Sequence, residues 1–119
     1  MLDINIEKFD DIAVVVCKGR IVQSDDVFKF RDFVVAQEGS RQIALDLAEV
    51  ESLGGGGLGM LAYLQNWAQR NDIELHLVSP STAVLDQLSR TSGISFHITE
   101  PLELMDSTIH RDEGYGYAA

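Results

Sequence analysis

The sequence predicts a single α/β domain, a mixed sheet of four or five strands with helices mainly on one face. Three observations carry that expectation. Leu2, Ile4 and Ile6 alternate with polar residues ahead of the apolar run Ile12 to Cys17, the pattern of a hairpin with one buried face. Strand-like and helix-like segments then alternate, which calls for right-handed crossovers between parallel strands. The strand-like segments at 43–47 and 73–77 alternate apolar and polar residues. Strands covered by helices on both faces would be apolar throughout.

Each element follows in order. Phe9-Asp10-Asp11 makes the turn between the first two strands, and Gly19 ends the second. Ser24 reads as a helix N-cap, with Asp25 and Asp26 in the first turn where carboxylates favour the helix dipole. Val27, Phe30, Val34 and Val35 fall at helical spacing, and Gly39 closes that helix. Ile43 to Leu47 forms the third strand. After the four consecutive glycines Gly54 to Gly57, helical spacing resumes at Leu58, Leu61, Leu64 and Ala68, with Trp67 beside the stripe and Asn71 near its end. Ile73, Leu75 and Leu77 give a fourth strand. Ser79-Pro80-Ser81 offers two caps for a helix carrying Val84, Leu85 and Leu88, with Gly93 as its left-handed C-terminal cap. Ile94 to Ile98 reads as a short last strand, and Pro101 opens a final helix through about His110. Residues 1–111 thus form the domain, and 112–119, without periodicity, read as a flexible tail.

Composition excludes several functions. The 119 residues carry nine Lys and Arg against nineteen Asp and Glu, a formal charge of −10. So acidic a surface disfavours the counterion release that drives nucleic-acid binding, and it repels anionic lipid headgroups. No apolar stretch approaches the roughly 20 residues that span a bilayer. The alternating start also lacks the basic and unbroken apolar segments of a signal peptide. These features fit a cytoplasmic protein.

Catalytic constellations are not evident, so the expectation is a protein that is not an enzyme and uses no cofactor. Cys17 is the single cysteine and, within its apolar run, reads as a small buried hydrophobe. His76, His97 and His110 have no paired spacing suited to a metal. On a strand, His76 points away from Leu75 and Leu77, toward solvent. Asp46 is the one candidate for a buried carboxylate; without a visible general-acid partner it reads as structural or surface-facing.

The glycine run first suggests phosphate binding at a helix start. A Walker loop would place Lys and then Ser or Thr after the last glycine, whereas Leu58 and Gly59 stand there and no lysine follows Lys29. Gly55-Gly56-Gly57-Leu58-Gly59 holds part of a dinucleotide fingerprint, but outside the first βα turn and in a chain too short for a dinucleotide domain. Two readings remain: a flexible βα loop with no further role, or a loop without side chains that serves as a contact surface.

Ile43 to Leu53, a loop of small residues and then Gly57-Leu58-Gly59-Met60-Leu61 resemble the signature of STAS domains, the anti-sigma-factor antagonists and their relatives. Leu75 to Ser81, Val84-Leu85 and Leu88 to Gly93 fit the family's next strand and helix, so the resemblance spans about residues 2–110. In that family the loop before Gly-Leu-Gly usually reads Asp-Ser-Ser or Asp-Ser-Thr. Its second hydroxyl residue is phosphorylated by a partner kinase that is itself the anti-sigma factor. Gly54, Gly55 and Gly56 stand at those three positions here, so Gly56 holds the phosphoacceptor place without a hydroxyl. Ser52, the nearest hydroxyl, comes several residues before that place.

The resemblance implies a protein-interaction module that regulates transcription by binding an anti-sigma factor or a serine-kinase-like regulator. Gly54, Gly55, Gly56, Gly57, Leu58 and Met60 would form the partner-binding surface, and the protein would be a monomer or weak dimer. Phosphorylation would add nearly two negative charges at such an interface, and without the hydroxyl that off-state is lost. Two other readings are an accessory subunit of a lipid or anion transport system and a small anion or nucleotide sensor using the glycine loop.

Overall fold

A computed structural model describes residues 2–90 and 98–99. Residues 94–97 of the expected last strand, the helix from Pro101, the tail, Gly93, His97 and His110 lie outside the described residues.

The chain begins with β1 (Leu2–Phe9) and β2 (Ile12–Arg20), an antiparallel hairpin closed by Asp10 and Asp11. Then follow α1 (Ser24–Val35), β3 (Gln42–Ser52), α2 (Gly54–Arg70), β4 (Glu74–Val78), α3 (Thr82–Ser89) and β5 (Ile98–Thr99). The five strands lie in sequence order, with β2 to β5 mutually parallel. The mixed sheet and the alternation of elements are those expected.

Register decides which residues share a face. Ile6, Val15, Leu45 and Leu77 follow one another across the sheet, as do Ala13, Ile43 and Leu75 one step away. Phe30 and Val34 of α1, Leu61 and Leu64 of α2 and Val84 of α3 join Val15, Leu45 and Leu77 in one buried cluster. The described helices therefore pack on one face. Each fully buried Leu or Phe of this cluster contributes roughly 1.5–3 kcal/mol by leaving water.

Several details differ from the sequence-based expectation. α1 ends at Val35 with Ala36 as its C-cap, ahead of Gly39, and β4 begins at Glu74, after Ile73. The N-cap of α1 is Gln23, and Ser24 is the first helical residue. β2 continues through Gly19 to Arg20, and β3 continues to Ser52. The extension of β3 carries two register irregularities against β2, between Val16 and Lys18 and between Gly19 and Arg20. Asp46 holds the first of them by accepting a hydrogen bond from the Ala48 N–H at 3.1 Å, so it is a half-buried structural carboxylate, as expected. The glycine run, finally, is not a loop but the first turn of α2.

Candidate functional site

The crossover from β3 into α2 is tight. Ser52 ends the strand, with its carbonyl accepting from the Ile21 N–H at 2.9 Å, and only Leu53 separates it from the helix. Leu53 is fully buried, and its N–H donates to Gln87 Oε1 of α3 at 3.0 Å. The turn closes when the Gly57 N–H donates to the Leu53 carbonyl at 3.1 Å. Ser81 braces the same end of β3: its hydroxyl donates to the Val50 carbonyl at 2.7 Å while accepting from the Val84 N–H as the N-cap of α3.

The four glycines do different work. Gly54 has φ +66°, the left-handed region, and a Cβ there would lie 3.3 Å from Val22 Cγ1. Gly57 is buried, and a Cβ on it would sit 2.6 Å from the Ile21 carbonyl oxygen, so only glycine lets α2 approach the end of β2 this closely. Gly55 and Gly56 are exposed. A side chain on Gly55 would meet nothing within 4 Å, and one on Gly56 only Val27 Cγ2 at an ordinary 3.5 Å. Leu58 and Met60 are half-buried and packed against the core, so they present only part of their surface.

The resulting surface is small and without side chains: Gly55 and Gly56 at the start of α2, with exposed Gly59 one turn along. No side chain caps this helix start, and no acidic residue occupies its first turn. Its backbone N–H groups and the positive end of the dipole therefore stand without a carboxylate of their own, in a chain of net charge −10. Val22, 43% exposed, borders Gly54 and supplies an apolar edge. Val22 is not among the residues that the sequence singles out. The signal was present, because Val22 and Val27 hold the two hydrophobic positions that bracket the start of α1.

The remaining titratable candidates lie elsewhere. Cys17 is buried, and its thiol is pushed up to about 12, first by burial and then by the charge of Asp46. It is a core residue, as expected. His76 does point away from Leu75 and Leu77, but it does not face solvent. It is 9% exposed on an inner strand, and its ring bonds Gln42 Oε1 at 2.9 Å across to β3. Oε1 accepts only, so Nε2 carries the proton. Alternation gave the correct face, but the centre of that face is closed: Gln42, Ala44 and Val78 are buried beside His76. Among the described residues, no three of His, Cys, Asp or Glu come together in a geometry that could hold a metal ion. None of the described helices is long and apolar enough to cross a membrane.

Comparison with known proteins agrees with this architecture. A family model described as STAS domain matches residues 3–110. Among solved structures, an anti-sigma factor antagonist from Mycobacterium paratuberculosis superposes with a TM-score of 0.73 at 19% identity, covering 89% of this chain and 93% of that one. The anti-sigma factor antagonist SpoIIAA in its unphosphorylated form gives 0.67 at 13% identity, covering 94% and 99%. SpoIIAA of Bacillus in its phosphorylated form gives 0.69 at 14% identity, covering 89% and 99%. At these identities the likeness to solved structures is one of fold. No curated protein sequence matches the chain.

Proposed function

Because this chain belongs to the STAS domain family, we propose that it is a protein-interaction module of the anti-sigma-factor-antagonist kind that has lost the family's phosphoswitch. Its partner is an anti-sigma factor or a related serine-kinase-like regulator. The contact surface is the start of α2: exposed Gly55 and Gly56, shaped by Gly54 and buried Gly57, with the accessible parts of Leu58 and Met60 and the apolar edge of Val22. The observation that supports this reading best is Gly56, exposed at the helix start with room for a side chain and with no hydroxyl to modify. A partner backbone can approach such a surface closely, and no phosphate can be placed at residue 56 to repel it. Binding is then constitutive or set by the supply of partner.

The experiment is affinity capture from the native host with the wild-type protein and with Gly55→Glu. The variant puts a charged side chain into open space, so its fold should be unchanged. A regulator of the anti-sigma or serine-kinase class that is captured by the wild type and lost with Gly55→Glu supports the proposal. Capture of a transport ATPase or permease, or capture indifferent to Gly55→Glu, overturns it.

A further inference from the structure

β1 is the end strand of the sheet, and among the described residues no strand lies on its outer side. The hairpin determines which of its backbone groups face outward. The loop holds two residues, so Phe9 and Ile12 close it as a hydrogen-bonded pair. The register runs without a bulge to Leu2↔Gly19, which makes Glu7, Asn5 and Asp3 the other inward-bonding residues of β1. The N–H and C=O groups of Leu2, Ile4, Ile6 and Lys8 therefore point away from the sheet.

An independent contact agrees. Lys29 of α1 reaches over the edge and donates from Nζ to the Leu2 carbonyl at 2.7 Å. That carbonyl is taken, and the outward ladder is left to Ile4, Ile6 and Lys8. Ile4 and Ile6 are half-buried on the helix side. Phe33, one helical turn beyond Lys29 on the same flank of α1, is 37% exposed. A regular eight-residue strand with an open ladder and an apolar flank is a template for another strand.

We propose that this edge joins two copies of the chain, with β1 pairing antiparallel to β1 of the second copy about a two-fold axis at Ile6. Charge and hydrogen bonding select that register. Centred on Ile6, the hydrogen-bonded pairs are Ile6 with Ile6 and Ile4 with Lys8, the three residues whose outward groups remain. On the opposite face Asn5 meets Glu7, with no like charges opposed. A register centred on Asn5 would set Asp3 against Glu7 and call on the Leu2 carbonyl that Lys29 holds. One centred on Glu7 would oppose two glutamates. The chosen register keeps the helices of both copies on one side of a continuous sheet. Two chains of charge −10 repel, so the dimer strengthens as salt rises.

Sedimentation across a concentration series tests this, at low and high salt. The expected result is a reversible monomer–dimer equilibrium that shifts toward dimer with salt. Lys8→Pro removes an outward N–H and leaves the inward ladder with β2 intact. It should weaken dimerisation roughly tenfold or more with little change in melting. In a Cys17→Ala background, Ile6→Cys should oxidise to a covalent dimer well ahead of Asn5→Cys, because only the first stands opposite itself. Should Lys8→Pro fail to fold, this cross-linking comparison decides the register alone. A monomer at every concentration, a dimer indifferent to Lys8→Pro in the folded variant, or faster cross-linking at Asn5→Cys overturns the proposal.

Discussion

A Cβ on Gly57 would lie 2.6 Å from the carbonyl oxygen of Ile21, so the first turn of α2 and the end of β2 meet backbone to backbone. The contact sets the height at which Gly55 and Gly56 are presented. Gly57→Ala must push helix and strand apart, and a backbone oxygen cannot move aside as a flexible side chain could. The expected cost is about 1–3 kcal/mol, read by thermal or denaturant unfolding. Gly55→Ala, which meets nothing within 4 Å, is the matched control and should not destabilise.

Gly56→Ser should fold normally. Residue 56 is the third helical residue and not the cap, since Leu53 precedes the helix, so the gain is the helix-propensity difference of about 0.5 kcal/mol and not a capping energy. Gly54→Asp behaves differently. At φ +66° and 3.3 Å from Val22 Cγ1 it is strained, at a cost of about 1 kcal/mol or more. Restoring both missing side chains, Gly54→Asp/Gly56→Ser, should therefore melt below Gly56→Ser alone. A higher melting temperature for the double variant would show that the backbone at residue 54 relaxes readily.

How much of this was legible in the sequence differs by element. The hairpin followed from the alternation of Leu2, Ile4 and Ile6, and α2 from Leu61, Leu64 and Ala68, because each set repeats at the period of its element. The extension of β3 to Ser52 was hidden because two irregularities interrupt the alternation there. A run of glycines reads as a loop because glycine is a poor helix former. Here Gly54 and Gly57 are set by the approach of β2 and Val22, a tertiary fact. A run of identical residues does not show that a Cβ would clash at Gly57 and meet open space at Gly55. Likewise alternation places His76 on a face without saying whether that face is covered.

Burial of Cys17 makes stability depend on alkaline pH. Its thiol is raised from 9.0 to about 12 in the folded chain, by burial first and the Asp46 charge second. The unfolded thiol loses its proton above pH 9 while the folded one keeps it. The contribution is thus fully present below the unfolded value and is lost between about 9 and 12. At pH 10 the loss attributable to this one group is on the order of 1 kcal/mol. Cys17→Ala should show a shallower decline between pH 8 and 10 than the wild type. Parallel declines would contradict the assignment.

Gln42→Leu should cost about 1–3 kcal/mol. It removes the acceptor that His76 Nε2 finds at 2.9 Å, and His76 is only 9% exposed. Denaturant unfolding reads the loss. If stability is unchanged, the imidazole has another partner as good as Gln42.

Whether binding at the start of α2 escapes phosphorylation is measured directly by calorimetry. The wild-type protein is incubated with its captured kinase partner and ATP, repurified and titrated calorimetrically against that partner, beside an untreated sample. The expected result is the same dissociation constant for both samples and no phosphate within residues 50–60. A weakened affinity after treatment, with phosphate mapped to that segment, would contradict it.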